Sequence, residues 1–422
     1  MRSFLFLQGP PAPFFWRLGK ALEAEGHRVT RINLCIGDHL AWPRLGARNY
    51  RGSAARWPAY LARVLEERGV TDVLMCGEQR PLHKAALPVI HAHGANVVVT
   101  DFGYLRPDWI TLELDGMSGL SRFPREAEAI RALAARVEQP DLDLRFRDNL
   151  PKMALWEMTT DILNWFYWIL FPHYRSHLLV NPVRLYVSGA WRDRSRARRN
   201  RAARADLAAL KKSRRPYFVF PLQMEVDFQI RAYSPYPGLR EAIVEVLDSF
   251  ARAAPPLACL AVKTHPFDQG VTPWDRVVTE LAAERGLADR VVMLDGGTLK
   301  ALLARARGIV TINSTFGIWA IRERRPVHVL GTAVYDVPGL THQGDLDSFW
   351  QKPPPPDAEL VEAWVQAASG TIQVRGGYYS ADGLAHAVRE SAYRLIHGLV
   401  GKPLSAEERA ALARFGVRAG AG

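Results

Sequence analysis

Short runs of aliphatic and β-branched residues alternate along this chain with amphipathic segments that tend to stop at a glycine. In the first half the runs 3–9, 28–35, 71–77 and 95–101 read as strands. Between them, 14–27, 58–69 and 83–94 carry helical periodicity and end near Gly26, Gly69 and Gly94. The second half repeats the scheme, with strands expected at 217–223, 256–266, 289–296, 309–314 and 326–331. Its helices fall at 238–254, 274–287, 299–308 and 316–325, and the chain from Asp357 reads as mainly helical. Strands alternating with glycine-terminated helices indicate βαβ units and parallel sheets.

At 422 residues the chain is too long for one ordinary core. The expected fold is α/β and GT-B-like: two doubly wound, Rossmann-like domains facing across a cleft, with C-terminal helices. The pattern divides the chain into an N-terminal Rossmann-like domain (1–150), a connecting segment (151–215), a C-terminal Rossmann-like domain (216–350) and a helical tail (351–422).

Composition narrows the class. The chain is 48% hydrophobic and 23% charged, as in a globular protein. Cys35, Cys76 and Cys259 are widely spaced, which argues against a disulfide framework or structural zinc and fits a reducing compartment. The opening "MRSFLFLQGPP" has an apolar run too short for a signal peptide and reads better as a first strand in the cytosol.

The formal charge of +12 is unevenly spread: residues 192–215 hold eleven Lys/Arg against Asp193 and Asp206. Nucleic acid is one partner for such a run, yet no interleaved aromatics or zinc-finger spacing accompany it, so none is expected. Just upstream, "LWEMTTDILNWFYWILFPHYR" (155–175) is rich in aromatics but too short in its apolar core to span a bilayer. Aromatics followed by dense arginine suit an interfacial helix on an anionic membrane. A core helix followed by a solvated basic loop fits the same residues.

Polar residues gather just past strand ends, where doubly wound domains place their ligands. In the second half these are Gln223 and Asp227 in "PLQMEVDFQI", Lys263 and His265 in "VKTHP", and Asn313, Ser314 and Thr315 in "TINSTFG". Ser or Thr before a helix is an N-cap, and the same backbone N–H groups receive phosphate. A histidine beside them can neutralise a leaving nucleotide. Neither a dinucleotide fingerprint nor a P-loop occurs, and no paired aspartates sit at a strand end, so no cofactor and metal-independent chemistry are expected. In the first half, Gln8 and Gly9 follow the first strand, and Arg80 and Arg106 each precede a proline, outside regular helix. These arginines suit carboxylate or phosphate, and Glu78, Asp101 and Glu113 suit activation of an acceptor hydroxyl. Arginines that merely pair with those acids are the structural alternative.

"FLQGP", "GEQRPLH", "GYLRPDWITLE", "PLQMEVDFQI", "KTHP", "TINSTFG" and "VYDVPGLTHQGDLDSFW" follow one another in this order. In that combination the chain, from about residue 3 to 380, resembles the bacterial capsular-polysaccharide β-Kdo transferases, most nearly the KpsS type and more distantly the KpsC type. The resemblance implies transfer of Kdo, an eight-carbon acidic sugar, from CMP-Kdo with retention of the β configuration. The implied acceptor is a (Kdo-)phosphatidylglycerol lipid at the inner face of the cytoplasmic membrane, where an oligo-Kdo linker for capsule is built. It also implies a peripheral, cytoplasmic enzyme working beside other capsule assembly proteins.

The family's His-Pro motif falls on His265-Pro266, its Asn-Ser-Thr motif on Asn313–Thr315 and its strand-end aspartate on Asp227. One departure is visible: the family's pair of acids before Gly-Tyr is here Asp101-Phe102, which puts acceptor or linkage choice in question. On this reading Asp227 is the expected nucleophile and His265 the group that meets the phosphate. Gln8, Gly9, Arg80, Asp101, Arg106, Glu113, Gln223, Lys263, Asn313, Ser314 and Thr315 are the substrate-binding candidates. A non-catalytic capsule assembly or export factor, or a transferase of another CMP-sugar such as CMP-sialic acid, remains open.

Overall fold

The computed structural model describes residues 1–176, 180–225 and 227–415. Part of the connecting segment (177–179) and the end of the expected tail (416–422) thus lie outside the described residues. The chain forms two compact α/β units. The first gathers Met1–Pro124, Arg131–Pro182 and the described residues from Trp364 on; the second gathers Arg125–Ile130 and Val183–Ala363.

The first unit is built on strands β1 (Ser3–Phe6), β2 (Arg28–Asn33), β3 (Arg48–Asn49), β4 (Asp72–Cys76), β5 (Asn96–Phe102) and β6 (Trp109–Leu114). Gln373–Arg375 joins them at one edge, giving the order Gln373–Arg375, β6, β5, β4, β1, β2, β3. Strands β1 to β5 pair in parallel, while β6 runs antiparallel to β5. The even–odd alternation of a strand, with both faces covered, explains why Phe4, Leu5 and Phe6 of β1 are all hydrophobic. Phe4 and Phe6 enter one core with the Phe14–Ala24 and Ala381–Ile396 helices. Leu5 and Leu7 enter the other with the Trp57–Arg68 and Pro81–His93 helices. Gly69 and Gly94 close those two helices in the left-handed conformation, at φ 54° and 77°, which a side chain would strain.

The antiparallel β6 and the Gln373–Arg375 strand were not in the sequence pattern. Arg375 is buried against Asp108, with Nη2 2.8 Å from the carboxylate, and so ties the end of the chain to the turn before β6.

The second unit has a five-stranded parallel sheet, β7 (Tyr217–Pro221), β8 (Cys259–Lys263), β9 (Val291–Leu294), β10 (Gly308–Thr311) and β11 (Val327–Val329), in the order β11, β10, β7, β8, β9. Phe218, Phe220, Leu260 and Val262 pack with the Leu239–Ala253 and Trp274–Glu284 helices. Each unit is therefore doubly wound, and the chain carries two such units, as a GT-B-like protein does. In both, chain order reverses beside the first strand: between β1 and β4 in one unit, and between β7 and β10 in the other. Such switch points open a crevice at the carboxyl edge of the sheet.

The basic run 192–215 is helical rather than a loop. It covers the end of Pro182–Arg194 and all of Arg196–Lys212, whose Ala203, Leu207 and Leu210 are buried. No helix among the described residues is long and apolar enough to cross a membrane.

Candidate functional site

At the β7/β10 switch point the polar residues bond to one another. Gln223, the second residue past β7, is buried. Its Oε1 accepts the Asn313 N–H at 3.2 Å, as a strand carbonyl would, and its Nε2 donates to Asn313 Oδ1 at 2.9 Å. Nε2 also lies 3.5 Å from Asp227 Oδ2. Asn313 Nδ2 donates onward to the Gln229 carbonyl at 2.9 Å and the Tyr233 carbonyl at 3.4 Å. The Asn313 side chain is thus a tie between β10 and the segment after β7.

Asp227 is half-buried and caps the Phe228–Ala232 turn of helix, Oδ1 accepting the Gln229 N–H at 2.9 Å. Glu225, the other acid of this stretch, points elsewhere. Its Oε2 accepts the Leu239 N–H at 3.3 Å, at the start of the Leu239–Ala253 helix. Burial raises the Glu225 carboxyl above its usual range, while that same N–H works the other way.

One strand over, Pro221 lies opposite Lys263, so Gln223 and His265 leave adjacent strands at the same edge. Lys263 is buried and gives its ammonium to the Thr264 carbonyl at 3.2 Å. Burial lowers its pKa, partly offset by Asp295. His265 is half-exposed, and its Nδ1 accepts the Phe267 N–H at 3.2 Å, which puts the neutral ring's proton on Nε2. Next to Asn313, the Ser314 hydroxyl accepts the Phe316 N–H at 3.2 Å and its carbonyl takes the Tyr335 hydroxyl at 2.5 Å. Thr315 stands at the N-cap of Phe316–Arg322 without a side-chain cap bond. Gly317 is required here, because a Cβ would come within 2.2 Å of the Tyr335 hydroxyl.

Two residues of the basic run reach this edge. Arg192 and Arg199 hold Asp295, just past β9, at 2.5 and 3.0 Å, and Arg192 lies 3.4 Å from Asp268. The charge pattern alone places the whole run on a solvated or lipid-facing surface; these two cations are instead paired inside the second unit.

The first unit's switch point is arranged differently. The Gln8 carbonyl accepts the Cys76 N–H at 2.9 Å, continuing the β1–β4 ladder, and its Nε2 donates to the Tyr174 hydroxyl at 3.0 Å and sits 3.2 Å from Cys35 Sγ. Gly9 lets the chain pass Phe15, whose ring a Cβ would meet at 2.6 Å. Arg80 precedes the Pro81–His93 helix in extended conformation, and its guanidinium lies 3.6 Å from Cys76 Sγ. Asp101 is half-buried near the end of β5, bonded to the Phe102 N–H at 2.7 Å; burial pushes its carboxyl up, with that N–H, Arg80 and Arg106 pulling it back. Arg106 is exposed, lies over the Phe102 ring at 5.0 Å and donates to the Gly103 carbonyl at 3.3 Å. Glu113 is buried on β6, with the Tyr104 hydroxyl donating to one oxygen at 2.8 Å and the Ser121 hydroxyl to the other. That pairing gives Glu113 an interior role.

Two more groups stand at this edge: Glu78, which strand-end polarity had offered as an acceptor-activating acid, and His83, which had no signal of its own in the sequence pattern. Glu78 is wholly buried with neither carboxylate oxygen in a well-formed hydrogen bond, and His83 is wholly buried with Nε2 unpaired. Burial raises the Glu78 carboxyl to about 7, against a weaker pull from nearby N–H groups. Burial also lowers the His83 imidazole to about 3, helped by Arg80. Among the described residues no cluster of three or more His, Cys, Asp or Glu could hold a metal ion.

Residues 71–379 match the family model described as capsule polysaccharide biosynthesis protein. The chain is 32% identical over 388 residues to the capsule polysaccharide export protein KpsS of Escherichia coli, covering 90% of this chain and 97% of that protein. It is 30% identical over 403 residues to the capsule polysaccharide modification protein LipB of Neisseria meningitidis, covering 90% and 92%. Among solved structures, the β-Kdo 2,7 transferase KpsC of Thermosulfurimonas dismutans matches with a TM-score of 0.45 at 15% identity, covering 94% of this chain and 99% of that one. With a family match over most of its length and relatives aligned almost end to end, this chain belongs to the capsule polysaccharide biosynthesis protein family.

Proposed function

We propose that the protein is a retaining glycosyltransferase that moves β-Kdo from CMP-Kdo onto a Kdo-bearing glycolipid during capsule synthesis. The observation that carries this reading is the second unit's switch point, where Asp227, Gln223, His265 and the Asn313–Thr315 turn come off neighbouring strands at one sheet edge. A carboxylate, an imidazole and a polar turn at one edge meet the needs of a sugar nucleotide: a nucleophile for the anomeric carbon and donors for the phosphate.

In the first step Asp227 attacks the anomeric carbon of Kdo as its bond to the phosphate oxygen breaks, and CMP departs with the electron pair. His265 Nε2–H and the Ser314–Thr315 turn stabilise the charge on that phosphate. In the second step an acceptor hydroxyl displaces Asp227, giving up its proton to a base, and two inversions leave the configuration retained. Gln223 fixes the carboxylate from one side, and the Gln229 N–H from the other. Arg80 and Arg106 of the first unit are assigned to the anionic acceptor, and Asp101 to its hydroxyl.

The test uses the full chain with CMP-Kdo and a synthetic β-Kdo glycolipid, following CMP release and product mass. Asp227→Asn is expected to cut turnover by about a thousandfold or more with CMP affinity retained, as loss of a nucleophile does elsewhere. Wild-type turnover in this variant removes the mechanism. Absence of CMP release by the wild-type protein with any acceptor favours an assembly or export role.

A lipid acceptor requires the enzyme at a bilayer surface. Trp165 to Leu170 form six consecutive exposed apolar residues at the end of the Leu150–Phe166 helix, with Trp168 60% and Ile169 71% exposed. His173 and Arg175 follow, also exposed. Aromatics at this density, next to an arginine, suit the headgroup region of an anionic membrane. Replacing Trp168 and Ile169 by serine should reduce partitioning onto phosphatidylglycerol vesicles by about a hundredfold or more, since each side chain contributes roughly 1.5–3 kcal/mol when buried. Equal flotation of variant and wild type would discard this contact.

A further inference from the structure

A small cavity in the first unit is lined by Gln8, Arg80, Pro81, Leu82, His83 and Tyr174, with Arg175 beside them, and has room for about one water-sized group. It lies at the β1/β4 switch point. Three independent features say what would enter it. First, Arg80 has no carboxylate at ion-pair distance among the described residues. Its guanidinium meets the Cys76 sulfur at 3.6 Å, and Asp101 and Asp38 act on it only at longer range. Second, Leu82 and His83 belong to the first turn of the Pro81–His93 helix, which has no side-chain cap bond. Backbone N–H groups in such a turn point to an anion or a hydroxyl oxygen.

Third, His83 is wholly buried, and its Nδ1–H donates to the Gly77 carbonyl at 2.7 Å. That bond fixes the tautomer and makes Nε2 an acceptor, left unpaired inside the protein. Burial and the neighbouring guanidinium keep this ring neutral at physiological pH, so Nε2 stays an acceptor. A cavity lined by a guanidinium, by the first turn of a helix and by a histidine whose Nε2 lone pair is unpaired is not matched by a carboxylate alone, which can only accept. It is matched by a hydroxyl, which accepts from one side and donates to the other, carried on a molecule whose acid group answers Arg80.

We propose that this cavity is the subsite for the anionic sugar of the acceptor, with one sugar hydroxyl donating to His83 Nε2 and the sugar carboxylate paired with Arg80. This rests on the transferase reading above and adds His83 as a residue that selects the acceptor. The remainder of the sugar stays outside the cavity, which admits only the polar tip.

The experiment titrates the full-length protein with the methyl β-glycoside of Kdo, with its carboxylate methyl ester, and separately with CMP. Wild type is expected to bind the acid at least tenfold more tightly than the ester. His83→Leu should lose about tenfold or more for the acid, while His83→Gln, which restores an acceptor, stays within about threefold of wild type. Arg80→Gln should bind acid and ester equally. CMP affinity and melting temperature are expected to stay at wild-type values in all three, so that a folding defect is recognised. Unchanged affinity of a folded His83→Leu for the acid overturns the proposal. So does a wild-type protein that releases CMP from CMP-Kdo yet binds neither glycoside. A wild-type protein that binds the acid with this His83 dependence but never releases CMP supports the subsite and fails the transferase reading instead.

Discussion

The two switch points share one architecture and differ in how their polar groups are satisfied. Past β7 and β10, the Gln223, Asn313 and Asp227 side chains satisfy one another and the neighbouring backbone, so the edge arrives pre-formed. Past β1 and β4, the backbone closes the ladder through the Gln8 carbonyl. There Glu78 and His83 keep buried atoms unpaired, and Arg80 lacks a carboxylate partner among the described residues. An unpaired buried polar atom costs about 1–3 kcal/mol, and such strain is tolerated where a ligand relieves it. A pre-formed edge is what the proposed placement of a reacting atom in the second unit requires. The first unit holds unmet hydrogen-bonding capacity, as the proposed acceptor subsite requires.

The largest effect that would sharpen this contrast lies at Glu78. Its carboxyl is raised from 4.5 to about 7 in the folded protein, so between those values the native state holds a proton that the unfolded chain has released. Stability from this group is therefore full below about pH 4.5 and falls as pH rises to 7, by about 3 kcal/mol in all. His83 acts in the opposite sense. Its imidazole is lowered from 6.5 to about 3, so stability is lost as pH falls below 6.5. Between pH 4.5 and 6.5 the two slopes offset each other. Glu78→Gln should expose the histidine slope, making stability climb with pH across that window more steeply than in wild type, by denaturant titration at several pH values. Glu157, also raised to about 7 by burial, is present in both proteins and cancels in the difference. Parallel wild-type and Glu78→Gln profiles would break the contrast, because Glu78 would then be paired.

How much of this was legible in the sequence follows the same divide. Parallel strands are buried on both faces, so β1, β4, β5, β7 and β8 announce themselves as apolar runs, and Gly69 and Gly94 mark their helix ends. Strand β6 did not, because Asp108 stands just before it and Glu113 interrupts it. Their partners, Arg375 and Tyr104, are found only by folding. Strand-end polarity located Gln223, Asp227, His265 and Asn313, since a doubly wound sheet forces ligands to that edge. It could not say that Asn313 would be tied to Gln223, ninety positions away. His83 looked like any residue of an amphipathic helix, and only burial with an unpaired Nε2 sets it apart. Arg192 and Arg199 were hidden in a charge run whose composition resembles a lipid-binding tail.

A smaller effect tests whether the second edge is truly self-contained. Gln223 and Asn313 exchange two hydrogen bonds, N–H to Oε1 and Nε2 to Oδ1. Asn313→Ala should cost about 2 kcal/mol in unfolding free energy, because Gln223 Nε2 loses its nearest partner and the Gln229 and Tyr233 carbonyls each lose one of theirs. Gln223→Ala should cost a similar amount. In the double variant the partner groups are absent together, so the loss should fall short of the sum by about 1 kcal/mol, the coupling of two residues in direct contact. Full additivity would mean that the pair does not act as a unit, and that the β7/β10 edge is held by its backbone, as the β1/β4 edge is. Turnover sharpens the reading further. If Gln223 positions Asp227, Gln223→Ala lowers kcat with little change in the KM for CMP-Kdo, whereas a side chain that merely binds donor would raise KM and leave kcat in place.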